Sequence, residues 1–311
     1  MKPLIDGRAR RTALIELTVA SVFWGFGFIA TIWALQFLSF PAVIFYRFAG
    51  AFAFGALLWF WTKPKWADLK REMRLAWPTG LWLGITLFLQ TWGLLTTTAT
   101  KSAFITVLYV VIVPIFAALI DKEKLSRRNG LCLAVALIGT GLIIQVDLST
   151  ISIGDVLTLG NAVAAAYHIR LMSQIAPRAK SHYNFNLFQC LWTAILVTPL
   201  FFVEWVWPDL FQGSWSLVGI SREAWIGLLS LTFGSSLLAF FLQVRAQRKL
   251  SATVAALLFL MESPFSAFFA AWLLGDRLSF TQMIGAVLIF VACAVASLRP
   301  GHHNLTADKI A

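Results

Sequence analysis

The sequence predicts an all-α integral membrane protein: ten transmembrane helices arranged as two inverted five-helix repeats. Three observations predict it. The 311 residues are 59% hydrophobic and only 13% charged, against about 45–50% and about 25% in ordinary soluble domains. Apolar runs of span length recur along the whole chain. Lys and Arg fall almost entirely in alternate gaps between those runs. A soluble fold of this size could not bury so much apolar surface, so lipid is the solvent for most of the chain.

A helix needs about 20 mainly apolar residues to cross about 30 Å of hydrocarbon. Runs of this kind lie at about 14–35, 41–61, 76–97, 102–120, 130–146, 154–175, 184–206, 224–244, 253–274 and 280–298. The first is too long for the apolar core of a signal peptide and lacks a small-x-small cleavage pattern, so it is read as a retained span. The third and fourth are parted only by the Thr-rich turn Thr96-Thr97-Thr98-Ala99-Thr100, and the longest loop is about 207–223. The repeats are placed at 13–146 and 154–298, with cytoplasmic tails at 1–12 and 299–311.

The net charge of +11 would suit a nucleic-acid binder, but its distribution does not. Twenty Lys and Arg residues occupy the N-terminus, the even-numbered loops and the C-terminal tail, from Lys2, Arg8, Arg10 and Arg11 to Arg299 and Lys309. The odd-numbered loops hold Lys101, Arg222 and Arg277. The positive-inside rule then puts both termini in the cytoplasm. Trp59, Trp61, Trp66 and Trp77 gather at one predicted interface, and Trp205, Trp207, Trp215 and Trp225 at the other, as an aromatic belt. Cys132, Cys190 and Cys293 all sit within apolar runs, which argues against a disulfide framework or a metal cluster.

The two halves resemble each other. Lys101 through Leu108 matches Ser251 through Leu258, and Pro114 and Pro264 each lie mid-helix. Ser126 and Ser279 each follow a Leu after an acidic-basic turn. Phe23-Trp24-Gly25-Phe26 sits opposite Ala164-Ala165-Ala166-Tyr167, and Arg47 near Gln189. Five spans per half is odd, so the second copy enters the membrane inverted. Inverted repeats are an architecture of secondary transporters that rock around a site near the midplane.

Several stretches, in order, resemble the drug/metabolite transporter superfamily, in particular its EamA-type permeases. They are Ala20-Ser21-Val22-Phe23-Trp24-Gly25, Arg47 in the second helix, and Leu89-Gln90-Thr91-Trp92-Gly93-Leu94 leading to Ala103 through Pro114. Glu262-Ser263-Pro264-Phe265, followed by Leu274-Gly275-Asp276-Arg277-Leu278-Ser279, completes the set. Asp276 stands where the family has Glu, and Asp121-Lys122-Glu123-Lys124 lacks the Gly that precedes Glu. The resemblance covers about residues 13–298. It implies a ten-helix, two-repeat exporter of small metabolites, amino acids or amphipathic compounds in a bacterial inner membrane.

Candidate site residues follow from polarity in apolar spans. Glu262 lies about nine residues, or about 14 Å, into the ninth span. A carboxylate there is costly unless paired, hydrated or protonated. It reads as a proton- or cation-responsive group or an amine anchor, or else as a structural polar group. Arg47 is read as reaching Glu262 or a substrate carboxylate, or as a structural or snorkelling cation. Trp24, Trp92, Phe104, Tyr109, Tyr167 and His168 are candidates for the wall of a pathway, against simple packing. Gln90 and Asn161, with Gln189 and Gln243, bond between helices or touch substrate. Pro114 and Pro264 withdraw backbone donors within helices, as pivots or as tolerated kinks. Gly25/Gly27, Gly80/Gly84 and Gly139/Gly141 are close-approach positions. No metalloprotease, nucleophile-elbow or P-loop motif occurs, so no enzyme, cofactor or metal is expected. The expected partners are a small-molecule substrate and the lipid bilayer, with proton coupling, facilitated diffusion and exchange fitting the sequence equally well and the protein a monomer or homodimer. A non-transporting scaffold or sensor, and an intramembrane lipid-acting enzyme, are the weighed alternatives.

Overall fold

A computed structural model describes residues 7–93, 95–97, 102, 105–122, 125–144, 151–207, 211, 213–273, 275 and 277–298. The described residues form helices and no strand longer than an isolated bridge. The helical rods are α1 (Gly7–Leu35), α2 (Phe40–Thr62), α3 (Trp66–Gly93), α4 (Ile105–Leu119), α5 (Arg127–Ile144), α6 (Ile153–Ile175), α7 (His182–Val206), α8 (Arg222–Gln247), α9 (Ala252–Leu273) and α10 (Phe280–Ser297). Six of them, α1, α2, α7, α8, α9 and α10, are long and apolar enough to cross a membrane. Phe104, Lys101 and Asp276 lie outside the described residues.

Serines start many of the rods. An N-cap oxygen satisfies backbone N–H groups that the first turn leaves unpaired. Ser152, Ser181, Ser221, Ser251 and Ser279 each accept from the backbone N–H three residues on. Ser126 accepts from the N–H of Asn129 at 3.2 Å. The serines singled out by the internal repeat, Ser126 and Ser279, therefore do the same job before α5 and before α10.

Side-chain bonds between rod ends set their directions. At one end of the bundle, Arg10 donates to the Ser297 carbonyl, so the start of α1 meets the end of α10. Arg245 at the end of α8 pairs with Glu16 near the start of α1 at 2.8 Å. Asp121, just after α4, accepts from Arg170 near the end of α6. Glu72 in the first turns of α3 accepts from the N–H of Lys180 at 2.9 Å. At the opposite end, Thr97 donates to Asp155 at the start of α6. There, too, Gln282 at the start of α10 donates to the Ile143 carbonyl at 3.0 Å. Consecutive rods thus run in alternating directions.

Lipid tails are as apolar as leucine, so helices in a bilayer associate through close packing of small residues and shared hydrogen bonds. At Gly139 an added Cβ would stand 2.7 Å from the Gly285 carbonyl oxygen, and at Gly285 it would collide with the Gly139 carbonyl in return. α5 and α10 meet back to back at this point. Gly80 is held against Trp192 and the Gln189 carbonyl in the same way, joining α3 to α7. The main neighbour pairs are α5 with α10, α3 with α6 and α7, α1 with α8 and α9, α2 with α7 and α8, and α4 with α6 and α9. Phe60, Trp61, Leu119, Trp205 and Leu298 point outward.

Among the described residues four rods are interrupted and one is widened; α2 breaks at Leu57–Leu58 and α7 at Thr198, just before Pro199. α4 has a tight turn at Leu108, where the Leu108 N–H bonds to Ile105 and the Val111 N–H to Leu108. α9 breaks at Leu260–Met261. Pro264 explains the α9 break: it has no N–H to give the Leu260 carbonyl and its ring crowds that oxygen. The Leu260 carbonyl accepts instead from Ser263 at 3.1 Å. Pro114 lies within the continuous stretch of α4 beyond Leu108. In α8, Ser230–Ala239 is π-helical, a departure from the plain helix that the apolar run predicts. The wider turn offsets the backbone carbonyls, and Asn186 of α7 donates to two of them, Ser236 and Leu237, at 3.3 and 3.0 Å.

Candidate functional site

The breaks in α4 and α9 place two polar side chains in the interior. Tyr109 is the first residue after the turn in α4, and Glu262 the first after the break in α9. α4 and α9 pack on each other, and Tyr109 and Glu262 lie within electrostatic reach. Glu262 opens a 12-residue helical segment, where the positive end of the helix dipole favours a carboxylate. Its backbone carbonyl is in close contact with Gly25 of α1, where a Cβ would lie 3.0 Å away. The side chain of Glu262 keeps part of its surface open.

Arg47 comes to the same place from α2. It is buried, not snorkelling, with 8% of its surface exposed. Nε donates to Ser236 Oγ in the π-helical stretch at 2.9 Å, and the guanidinium lies 5.0 Å from the Phe48 ring centroid. Arg47 and Glu262 are within electrostatic reach. Ion pairs among the described residues join Arg71 to Glu72, Arg170 to Asp121, Lys180 to Asp68 and Arg245 to Glu16, and none joins Arg47 to Glu262. The pairing expected of these two groups is therefore an electrostatic approach without contact.

Aromatic rings floor the site. Phe240, at the end of the π-helical stretch, stands 5.2 Å from Trp24, 6.0 Å from Phe48 and 6.4 Å from His168, ring centre to ring centre. Phe259, just before the α9 break, meets Trp24 edge-on at 5.1 Å. His168 Nε2 lies 3.4 Å from Gln189 Oε1. The structure thus brings Trp24, His168 and the Phe48 ring beneath Arg47 around Phe240, with Gln189 behind His168, and sets Glu262 within electrostatic reach of Arg47 and Tyr109. Phe240, Phe48, Phe259 and Ser236 are the members that sequence reasoning missed. Apolar rings in apolar spans carry no signal of their own; the small polar run Gly234-Ser235-Ser236, which the sequence reading passed over, is the one local feature that could have pointed to Ser236.

The remaining candidates lie elsewhere. Asn161 and Gln90 form a second polar group between α3, α4 and α6. Asn161 donates to Thr106 Oγ1 at 2.8 Å, and Gln90 approaches the same oxygen at 3.5 Å. Tyr167 meets Trp82 at a tilt, 4.5 Å between ring centres, and lies under the Arg170 guanidinium at 5.5 Å. Trp92 is 39% exposed near the end of α3, with its ring against Phe88. Glu204, buried in α7, went unremarked in the sequence. It accepts from Ser39 at 2.8 Å and from the Trp215 indole at 2.7 Å, tying the 213–220 loop over one end of the bundle.

Among known proteins, the profile of the EamA-like transporter family matches residues 11–145 and again 152–298. A protein of Archaeoglobus fulgidus named an uncharacterized transporter is 29% identical over 294 residues, spanning 94% of this chain and 88% of that protein. A solved crystal structure superposes with a TM-score of 0.75 at 17% identity, covering 93% of this chain and 97% of the other. At that identity the likeness speaks for the fold alone.

Proposed function

This chain belongs to the EamA-like transporter family and is a multi-pass membrane transporter; from that premise we propose that it is an exporter of small organic solutes working by alternating access. The protein crosses a cytoplasmic membrane ten times, with both termini in the cytoplasm. Its halves, 13–146 and 154–298, are inverted copies that rock against each other around the Glu262 site.

One observation carries this reading. Two of the interrupted helices, α4 and α9, hold matching places in the two halves, pack on each other, and present Tyr109 and Glu262 at their breaks. Discontinuous helices at a repeat interface are where secondary transporters bind substrate and coupling ion. The neighbour pairs support the duplication. Moving every helix five places along turns α3–α6 into α8–α1, α3–α7 into α8–α2 and α4–α6 into α9–α1, and returns α5–α10 to itself. Each of these is a pair that the bundle contains. The Arg10–Ser297 bond supports a common side for the termini.

Glu262 is the group through which a proton or a cationic substrate acts. Its interior position makes an uncompensated anion expensive, so its charge state is coupled to what else occupies the site. Trp24 and Phe240 offer ring faces to the apolar part of a solute. The test is flux in proteoliposomes with and without a pH gradient, using labelled amino acids and aromatic amphiphiles. We expect the gradient to accelerate wild-type flux and to have no effect on Glu262→Gln. Gradient-independent flux that survives Glu262→Gln refutes coupling through this residue.

A further inference from the structure

Arg47, Trp24 and Gln189, linked through Phe48, Phe240 and His168, carry hydrogen-bond donors that find no acceptor among the described residues. The Arg47 guanidinium has five N–H groups, and the hydrogen bond it makes among the described residues uses Nε. Trp24 Nε1 is buried and unpartnered, although its ring is in contact with Phe240 and Phe259. Gln189 is fully buried, and its Nε2 is unpartnered while its Oε1 faces His168. Native proteins pair nearly all buried polar groups, and an interior guanidinium is among the most expensive to leave uncompensated. Trp24 and Phe48, the ring beneath Arg47, both contact Phe240, so a positive, donor-only surface backs onto an aromatic floor. Glu262, the natural partner, is kept within electrostatic reach but out of contact.

We propose that Arg47 and Trp24, with Gln189, form a carboxylate-binding subsite, so that the solutes this protein carries bear a carboxylate on an apolar or aromatic body. The inference rests on the transporter reading above. The fork of Arg47 matches the two oxygens of a carboxylate, and the Trp24 indole N–H adds a neutral donor. The solute's apolar body lies against Phe240 and Phe259. Glu262 repels a second negative charge, which selects monocarboxylates and zwitterions over dianions.

Radiolabelled 3-phenylpropanoate, bound to the purified full-length protein in nanodiscs, tests this, with its methyl ester and amide as competitors. We expect the acid to bind and both neutral analogues to compete at least tenfold more weakly. Arg47→Gln should weaken binding by about tenfold or more, the usual scale for a lost charge-assisted bond. Arg47→Lys should recover part of that. Trp24→Phe keeps the ring contacts and removes only the donor, so it should fold normally and cost about threefold to tenfold. Equal binding of acid and ester overturns the subsite, as does wild-type affinity in Trp24→Phe and Arg47→Gln, or no binding of the acid at millimolar concentration. The same preparation in liposomes separates the two claims. Flux of solutes with no carboxylate preference sinks the subsite and spares the transporter. Carboxylate-selective binding without flux of any solute does the reverse.

Discussion

Replacing Asp121 by alanine removes the carboxylate that holds Arg170, and its cost follows from the geometry. Arg170 donates from Nε to Asp121 at 2.7 Å and from Nη2 to the other carboxylate oxygen, and Gln174 donates to Asp121 as well. The side chains are 8% and 17% exposed, so screening by water is slight for Arg170 and modest for Asp121. Stranding one partner of a buried pair costs roughly 3–5 kcal/mol. The pair lies at the end of the bundle, and Arg170 keeps its place over the Tyr167 ring. The lower figure therefore applies, about 3 kcal/mol, or a factor of about 150 in the folding equilibrium. Arg170→Met strands the more exposed Asp121, which keeps Gln174, and should cost about 1–2 kcal/mol. The double variant should match Arg170→Met closely, giving a coupling of about 3 kcal/mol. SDS-induced unfolding in mixed micelles, followed by tryptophan fluorescence, measures all three. Additive losses, or an Asp121→Ala cost under about 1 kcal/mol, would show that the pair is a solvated surface contact and refute the reasoning.

Further outcomes follow from packing and topology. Gly139→Ala and Gly285→Ala each push a methyl into the opposite helix's carbonyl, so each should lower stability by about 1–3 kcal/mol; a neutral effect of both would mean that α5 and α10 are not in backbone contact. The three native cysteines are buried, which leaves a quiet background for thiol labelling. In intact cells Val218→Cys should react with an impermeant maleimide and Lys65→Cys only after permeabilisation. The reverse pattern would invert the orientation set by the positive loops.

The membrane class and the alternation of rods were legible in the sequence because they are properties of segments taken one at a time. A bilayer reads each stretch by its own transfer energy and each loop by its own charge, so composition and Lys/Arg placement carry them. Glu262 and Arg47 were legible for the same reason: a charge in an apolar span stands out wherever its helix points. The tertiary structure alone decided which of these groups meet. Trp24 and Trp92 look alike in sequence, yet one abuts Phe240 and Phe259 and the other sits half-exposed at the end of α3. Helix rotation is set by contacts far apart along the chain, such as Gly139 on Gly285 or Gly25 on Glu262 and Phe265. In lipid, where burial of apolar surface gives helices little reason to face one way, such close contacts settle which side chains turn inward. The break before Glu262 could be anticipated from Pro264, a local cause. The π-helical stretch in α8 could not, because the Asn186 amide that satisfies its carbonyls arrives from another helix.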